Sequence, residues 1–270
     1  MLIDTHSHLN LEHLFVDRKK HLQHFQQVGG KILVNAGAHI DYNNHGILIA
    51  QEAKQLFPDL IVKATVWFHP RDSKEFVPED YPRLIEGLEQ QYLDHPEEII
   101  AIGECGIDLY GNDNPPLAHQ QTLFRLQAEL AKKLNLPLII HSRDGFEETL
   151  EVLEEFSDLK IYFHCRGYGP EEIKKAEGLF PQVWFGFTNA IAYPSAKKTR
   201  ECLLAAKKEH ILLETDAPFL PPQEFRGQTN YPEYISYVYE KCAEILNLWR
   251  EELELTIQQN VLTFFSLTND

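Results

Sequence analysis

Short apolar runs rich in β-branched and aromatic residues alternate with longer segments of helical spacing along the whole 270-residue chain. The runs Leu2–Thr5, Lys31–Asn35, Ile61–Phe68, Ile99–Gly103, Leu138–His141, Lys160–Cys165, Val183–Phe187 and Ile211–Thr215 read as strands. Between and after them, Asp17–Val28, Tyr42–Phe57, Tyr81–Leu93, His119–Leu134, Phe146–Phe156, Glu171–Leu179, Ala196–Lys208 and Tyr231–Leu248 read as amphipathic helices. Leu123, Leu126, Leu130 and Leu134 keep the three-to-four spacing of a buried helix face. Pro137 and Pro170 fall where helices should stop or start. Eight strand–helix units in a chain of this length predict an α/β fold, the (β/α)8 TIM barrel. Periodicity alone also allows a doubly wound open sheet, but the count of units favours the barrel. No linker, low-complexity stretch or repeat beyond the βα unit interrupts the pattern. Residues 1–270 are therefore expected to form one domain, with Arg250–Phe265 as one or two extra helices outside the barrel.

Composition changes this picture little. Hydrophobic residues make up 43% and charged residues 24%, as in ordinary globular proteins. No apolar run approaches the roughly 18 residues of a membrane span. The start lacks a basic and then apolar leader, which predicts a cytoplasmic location with no membrane partner. Four scattered cysteines, Cys105, Cys165, Cys202 and Cys242, fit reduced thiols better than a disulfide frame. Charge matters more. With 25 basic and 41 acidic residues the net charge is −16, which argues against loose, charge-driven binding to nucleic acid. The basic clusters Lys174-Lys175, Lys197-Lys198-Arg200 and Lys207-Lys208 read as solvated helix faces.

Candidate chemistry begins at the first strand. His6 and His8 stand two apart, so in extended backbone both rings leave the same face and offer two ligands to a divalent metal. Chance alone gives roughly 0.6 such pairs in a chain with this many histidines, so the pair by itself decides little. Other strand ends add weight. They carry His69-Pro70, the run Gly103-Glu104-Cys105-Gly106-Ile107-Asp108, His141-Ser142-Arg143-Asp144, His164-Cys165-Arg166-Gly167 and Glu214-Thr215-Asp216-Ala217-Pro218. Strands 2 and 7 end in Asn35-Ala36-Gly37 and Thr188-Asn189, which are weaker ligands. In a barrel all these ends share one rim, where active sites lie. One such histidine alone is ordinarily just a hydrogen-bonded residue, and Asp216 alone could be an Asx turn. Six ligand-type side chains on one rim, His6, His8, Glu104, His141, His164 and Asp216, predict a metal site.

Six ligands exceed what one tetrahedral ion uses, so two divalent ions are expected. Glu104 would bridge them at about 3.5–4 Å. His6, His8 and Asp216 would hold one ion, His141 and His164 the other. Glu104 and Asp216 are the expected catalytic carboxylates, with Asp216 orienting the attacking water or taking its proton. Arg143, two residues beyond His141, is placed to grip an anionic group. The helical pair His21 and His24, and Asn135, read as surface residues rather than a second site.

These blocks resemble the signatures of the TatD family of metal-dependent deoxyribonucleases. The resemblance extends to Gln120, Phe124, Gln127 and Leu130-Ala131 on one helix, to Arg226-Gly227 with Asn230, and to Asn260 with Phe264. It implies a TIM barrel of the metal-dependent hydrolase type that cuts phosphodiester bonds. The expected activity is that of a Mg2+-assisted exonuclease on single-stranded DNA or DNA ends, running 3′ to 5′, with Zn2+, Mn2+ or Ni2+ as other ions such donors accept. It implies that His6, His8, Glu104, His141, His164 and Asp216 are metal ligands. His69, Arg143, Arg166, Arg226 and Asn230 would contact substrate. No obligate protein partner is implied. Trp67-Phe68 and the run Cys165-Arg166-Gly167-Tyr168 depart from the family pattern, in loops expected to touch substrate.

Rival readings differ at particular residues. Amidohydrolases that bridge their metals with a carbamylated Lys on strand 4 find Glu104 and no Lys here. A polymerase-and-histidinol-phosphatase type of phosphoesterase shares Asp-x-His-x-His but not the Glu-Thr-Asp-Ala-Pro run. Ester hydrolysis on mischarged tRNA, as in a D-aminoacyl-tRNA deacylase, would use the same metals. A scaffold protein with a relic site predicts lost ligands, and none of the six is lost.

Overall fold

The computed structural model describes residues 1–165 and 168–268. Eight strands follow the chain: β1 (Leu2–Ser7), β2 (Gly30–Asn35), β3 (Ile61–Val66), β4 (Ile99–Asp108), β5 (Leu138–Arg143), β6 (Ile161–Phe163), β7 (Val183–Phe187) and β8 (Ile211–Leu213). They form one sheet in sequence order, each neighbouring pair parallel. Beyond β8 the chain turns back onto β1. The Asp216 N–H donates to the His6 carbonyl at 2.9 Å, and the His8 N–H donates to the Ala217 carbonyl at 2.7 Å. The sheet thereby curls into the expected (β/α)8 barrel.

The helices are α1 (Glu12–Phe15), α2 (Arg18–Gln27), α3 (Ile40–Leu56), α4 (Tyr81–Asp94), α5 (Leu117–Leu134), α6 (Phe146–Leu153), α7 (Pro170–Leu179), α8 (Lys197–Ala205), α9 (Ile235–Leu246) and α10 (Arg250–Phe265). The tail is thus one helix with the expected bounds. Asn260 ties it to the barrel, its amide donating to the carbonyls of Lys208 at 2.7 Å and Ile211 at 2.8 Å. Strand ends differ from expectation in both senses. The strands at Ile161 and Ile211 stop at Phe163 and Leu213, short of the polar residues that follow, whereas β4 runs on from Gly103 to Asp108.

Glycine explains the longer strand. Gly106 lies opposite His141 in the β4–β5 register, at φ +145°, and a Cβ there would sit 2.0 Å from the His141 carbonyl oxygen. Only a residue without a side chain lets the two strands stay this close. Helix α5 then fixes the strand ends. Gln120, fully buried, accepts from the Asp108 N–H at 2.8 Å and donates to the Asp108 carbonyl at 3.1 Å. Gln127 makes the same pair with Phe68, at 2.8 and 3.1 Å. Each glutamine amide satisfies backbone groups that the ladder leaves open, and so sets where the next side chain points.

Candidate metal centre

Four overlapping groups of donor atoms, each within 4.8 Å, gather at one rim: His6, His8 and Asp216; His6, His164 and Glu214; Glu104, His141 and His164; and His69, Asp108 and His141. Glu104 lies at the centre. Its Oε1 is 3.1 Å from His6 Nε2 and 3.3 Å from His8 Nε2. Its Oε2 faces the other side, 3.3 Å from His141 Nδ1 and in contact with His164 Nε2. Asp216 Oδ1 lies 3.5 Å from His8 Nε2 and 3.8 Å from His6 Nε2. The closure hydrogen bonds of the fold hold His6, His8 and Asp216 together, because they join those same residues. Asp216 itself adopts a left-handed conformation, φ +55°.

The donor set fits divalent cations. His6 Nε2 and His8 Nε2 approach within 3.2 Å of each other around one carboxylate oxygen, so three nitrogen and oxygen donors converge on a single point. Electrostatics show how strongly this carboxylate cluster attracts positive charge. Burial opposes charge on His8, yet the carboxylates of Asp216 and Glu104 prevail and push it up to about 10. Burial likewise opposes charge on His164, and Glu104 outweighs it, giving about 9. Burial and the neighbouring His164 push His6 down to about 4. Burial works against the ionised form of Glu104, but the charges of His164 and His6 hold its carboxyl well below the usual range.

A second ring of residues fixes these side chains. His141 turns its Nε2 to Asp108 Oδ2 at 3.2 Å, which leaves Nδ1 for Glu104. Asp108 in turn accepts from the Arg71 guanidinium at 3.1 Å. A carboxylate behind a ligand histidine fixes its ring orientation and tautomer. Glu214 accepts from the Cys165 N–H at 2.5 Å and from the Tyr162 hydroxyl, and burial pushes its carboxyl up to about 7. Asp4 accepts from Thr215 through both its N–H at 2.9 Å and its hydroxyl at 2.6 Å, which ties β1 to the end of β8. Sequence reasoning assigned Asp108, Arg71, Glu214 and Asp4 no place in the site. Alternation was the available signal, since Asp4, His6 and His8 share one parity, as do Glu104 and Asp108.

The expected substrate contacts divide. The His69 ring lies 4.7 Å from that of His141, and burial together with His141 pushes it down to about 3, so it stands as a neutral ring. The Arg143 guanidinium lies 3.6 Å above the Tyr110 ring, beside the strand that carries His141. Arg226 lies 4.0 Å over the ring of Tyr193. Asn230 is a correction. It is fully buried, and its amide donates to the carbonyls of Thr215 at 2.8 Å, Phe219 at 2.6 Å and Leu220 at 3.2 Å. It braces the loop after β8 and offers substrate nothing. Trp67 and Phe68, in the segment that follows β3, are also buried, with the Trp67 ring 5.2 Å from that of His69. His21 is buried as well, 7% exposed and stacked 4.8 Å from Tyr231, contrary to its reading as a surface residue. Arg166 lies outside the described residues.

A nearly closed parallel barrel whose strand ends gather imidazoles around a shared carboxylate defines a metal-dependent hydrolase. Residues 3–266 match the family model described as TatD related DNase, and the chain belongs to that family. It is 32% identical over 269 residues to the uncharacterized metal-dependent hydrolase YabD of Bacillus subtilis, covering 99% of this chain and 100% of that one. It is 29% identical to the 3′-5′ ssDNA/RNA exonuclease TatD of Escherichia fergusonii, covering 76% of this chain and 78% of the other. The crystal structure of YJJV, a TatD homolog from Escherichia coli K12, superposes with a TM-score of 0.88 at 26% identity, covering 99% and 98% of the two chains. Among the described residues, no helix is long and apolar enough to cross a membrane.

Proposed function

We propose that this hydrolase is an exonuclease that removes nucleotides from the 3′ end of single-stranded DNA, with two divalent ions at the rim. One observation carries the reading: Glu104 presents one oxygen to His6 and His8 and the other to His141 and His164. In this reading His6, His8 and Asp216 hold one ion, His141 and His164 the second, and Glu104 serves both. Divalent ions held so close together would polarise a phosphodiester and acidify a water at neutral pH.

The chain's own residues supply the rest. Asp216 accepts the proton of the attacking water as its oxygen bonds to phosphorus, the bond to the leaving sugar oxygen breaks, and that oxygen takes up a proton from solvent. Asp108 keeps the His141 ring turned toward Glu104. Arg143 grips a non-bridging phosphate oxygen through charge-assisted hydrogen bonds. His69, held neutral, lines the phosphate position without adding charge. Because few cations are involved, the salt slope for binding a short single strand should be shallow, roughly −2 at saturating Mg2+.

The test is cleavage of single-stranded oligonucleotides labelled at either end, with Mg2+ or Mn2+. Stepwise shortening from the 3′ end is expected. Release from the 5′ end would overturn the polarity, and intact DNA and RNA beside hydrolysis of a carboxylic ester would overturn the nuclease reading.

A further inference from the structure

We propose that the barrel mouth carries two nucleobase-stacking subsites, Phe219 on one side of the metal cluster and Tyr110 on the other; this rests on the nuclease reading above. Among the described residues the exposed aromatic side chains are Tyr110 at 51%, Phe219 at 53% and Trp249 at 81%. Trp249 precedes α10, away from the rim, whereas the other two follow cluster carboxylates by two and three residues.

Their places in the barrel are opposed. Phe219 stands at the seam between β8 and β1, its ring edge-on to His8 at 6.1 Å. Tyr110 follows β4 beside β5, halfway round the strand order. Both residues are anchored through their backbones. The Phe219 N–H donates to Asp216 at 2.8 Å, and its carbonyl accepts from the buried amide of Asn230 at 2.6 Å. The Tyr110 N–H donates to Asp108 Oδ1 at 2.9 Å, its carbonyl accepts from Arg71, and Arg143 covers part of its ring. Scattered apolar side chains on a surface need no explanation. These two are different, because the polar framework that orders the ligands also anchors the backbone of two half-exposed aromatic residues beside them.

A single strand whose phosphate reaches Glu104 would pass its flanking bases over these rings. Stacking on an aromatic face tolerates any base. It also answers the charge problem. A chain of net charge −16 gains little from a broad basic surface, so much of its grip on a strand must come from uncharged contacts.

The experiment measures binding apart from turnover. A short single strand with non-cleavable terminal linkages carries the fluorescent base 2-aminopurine at its 3′ end, and its quenching is titrated with the full-length protein. Wild type should quench it. Phe219→Ala should bind about tenfold more weakly, the loss of one stacked base, and Phe219→Trp should restore both signals. Tyr110→Ala should weaken binding of a strand to a similar degree. A strand abasic at its 3′ end should bind wild type no better than the intact strand binds Phe219→Ala. No quenching by wild type, or equal affinity of wild type and both alanine variants, overturns the stacking sites. Quenching without cleavage of natural strands leaves them standing and overturns the nuclease reading instead.

Discussion

His6 on β1 and His8 just past its end stand two apart, His21 and His24 stand three apart on α2, and each pair faces a carboxylate. In the first pair both rings meet Glu104 Oε1, at 3.1 and 3.3 Å. In the second both meet Glu233 Oε1, at 3.6 and 3.3 Å. The local likeness ends there. Around Glu104 the second oxygen engages His141 and His164, and Asp216 closes the group. Around Glu233 the second oxygen is buried with no hydrogen-bond partner among the described residues, and the carboxylate comes from a short 3-10 turn, Pro232–Tyr234. The elements make the difference. Parallel strands in a barrel all end at one rim, so each can add a ligand to the same point. A helix on the outside has only the neighbour it packs against.

Breaking the rim should cost most. Glu104→Ala removes both oxygens that the two histidine pairs share. Activity should fall by orders of magnitude, beyond the roughly 10- to 100-fold loss typical of groups one step removed from a metal, while circular dichroism stays native. Unchanged turnover in a folded variant would remove Glu104 from the mechanism.

Asp108→Asn is the next largest. It weakens the grip on His141 Nε2 and on Arg71, so a roughly 10- to 100-fold loss of activity or metal affinity is expected. A loss in KM alone, with metal affinity intact, would make Asp108 a substrate contact.

Asn230→Leu should act on stability as well as rate, since it deprives three carbonyls of a donor. Unfolding experiments should show about 1–3 kcal/mol lost, the cost of unsatisfied buried polar groups.

The outer cluster should show the smallest effect, and only in stability. Burial would raise the Glu233 carboxyl, but His21 and His24 outweigh it and hold it below its ordinary 4.5. The unfolded chain therefore binds the proton more readily. The stabilisation is complete above the unfolded value and is lost as pH falls through the lowered folded value. Glu233→Gln should lower Tm by about 2–4 °C near neutral pH, with the gap closing in acid and nuclease activity unchanged. Loss of activity in that variant would tie the outer cluster to the rim.

The rim was legible in the sequence because ligand chemistry coincides with strand ends. His6, His8, Glu104, His141, His164 and Asp216 each follow an apolar run, and β-sheet geometry brings such positions together. What the sequence hid depends on packing between distant segments. Asp108 escaped because β4 was expected to stop at Gly103. Its continuation depends on how closely Gly106 can pass His141, which is a property of two strands. Asn230 looked like a substrate contact because a polar residue in a loop after a strand gives no sign that three carbonyls converge on it. Trp67 looked like a residue of a substrate-touching loop because an aromatic at a strand end can turn either way. His21 looked like surface because helical spacing fixes a face but not what covers it, and Tyr231 comes from the far end of the chain.

The central claim is that the two oxygens of Glu104 serve separate ions. Anomalous diffraction from crystals grown with Mn2+ measures this directly. Two peaks about 3.5–4 Å apart are expected. One should lie against Glu104, His6, His8 and Asp216, and the other against Glu104, His141 and His164. A single ion, or ions that leave one Glu104 oxygen uncoordinated, would contradict it.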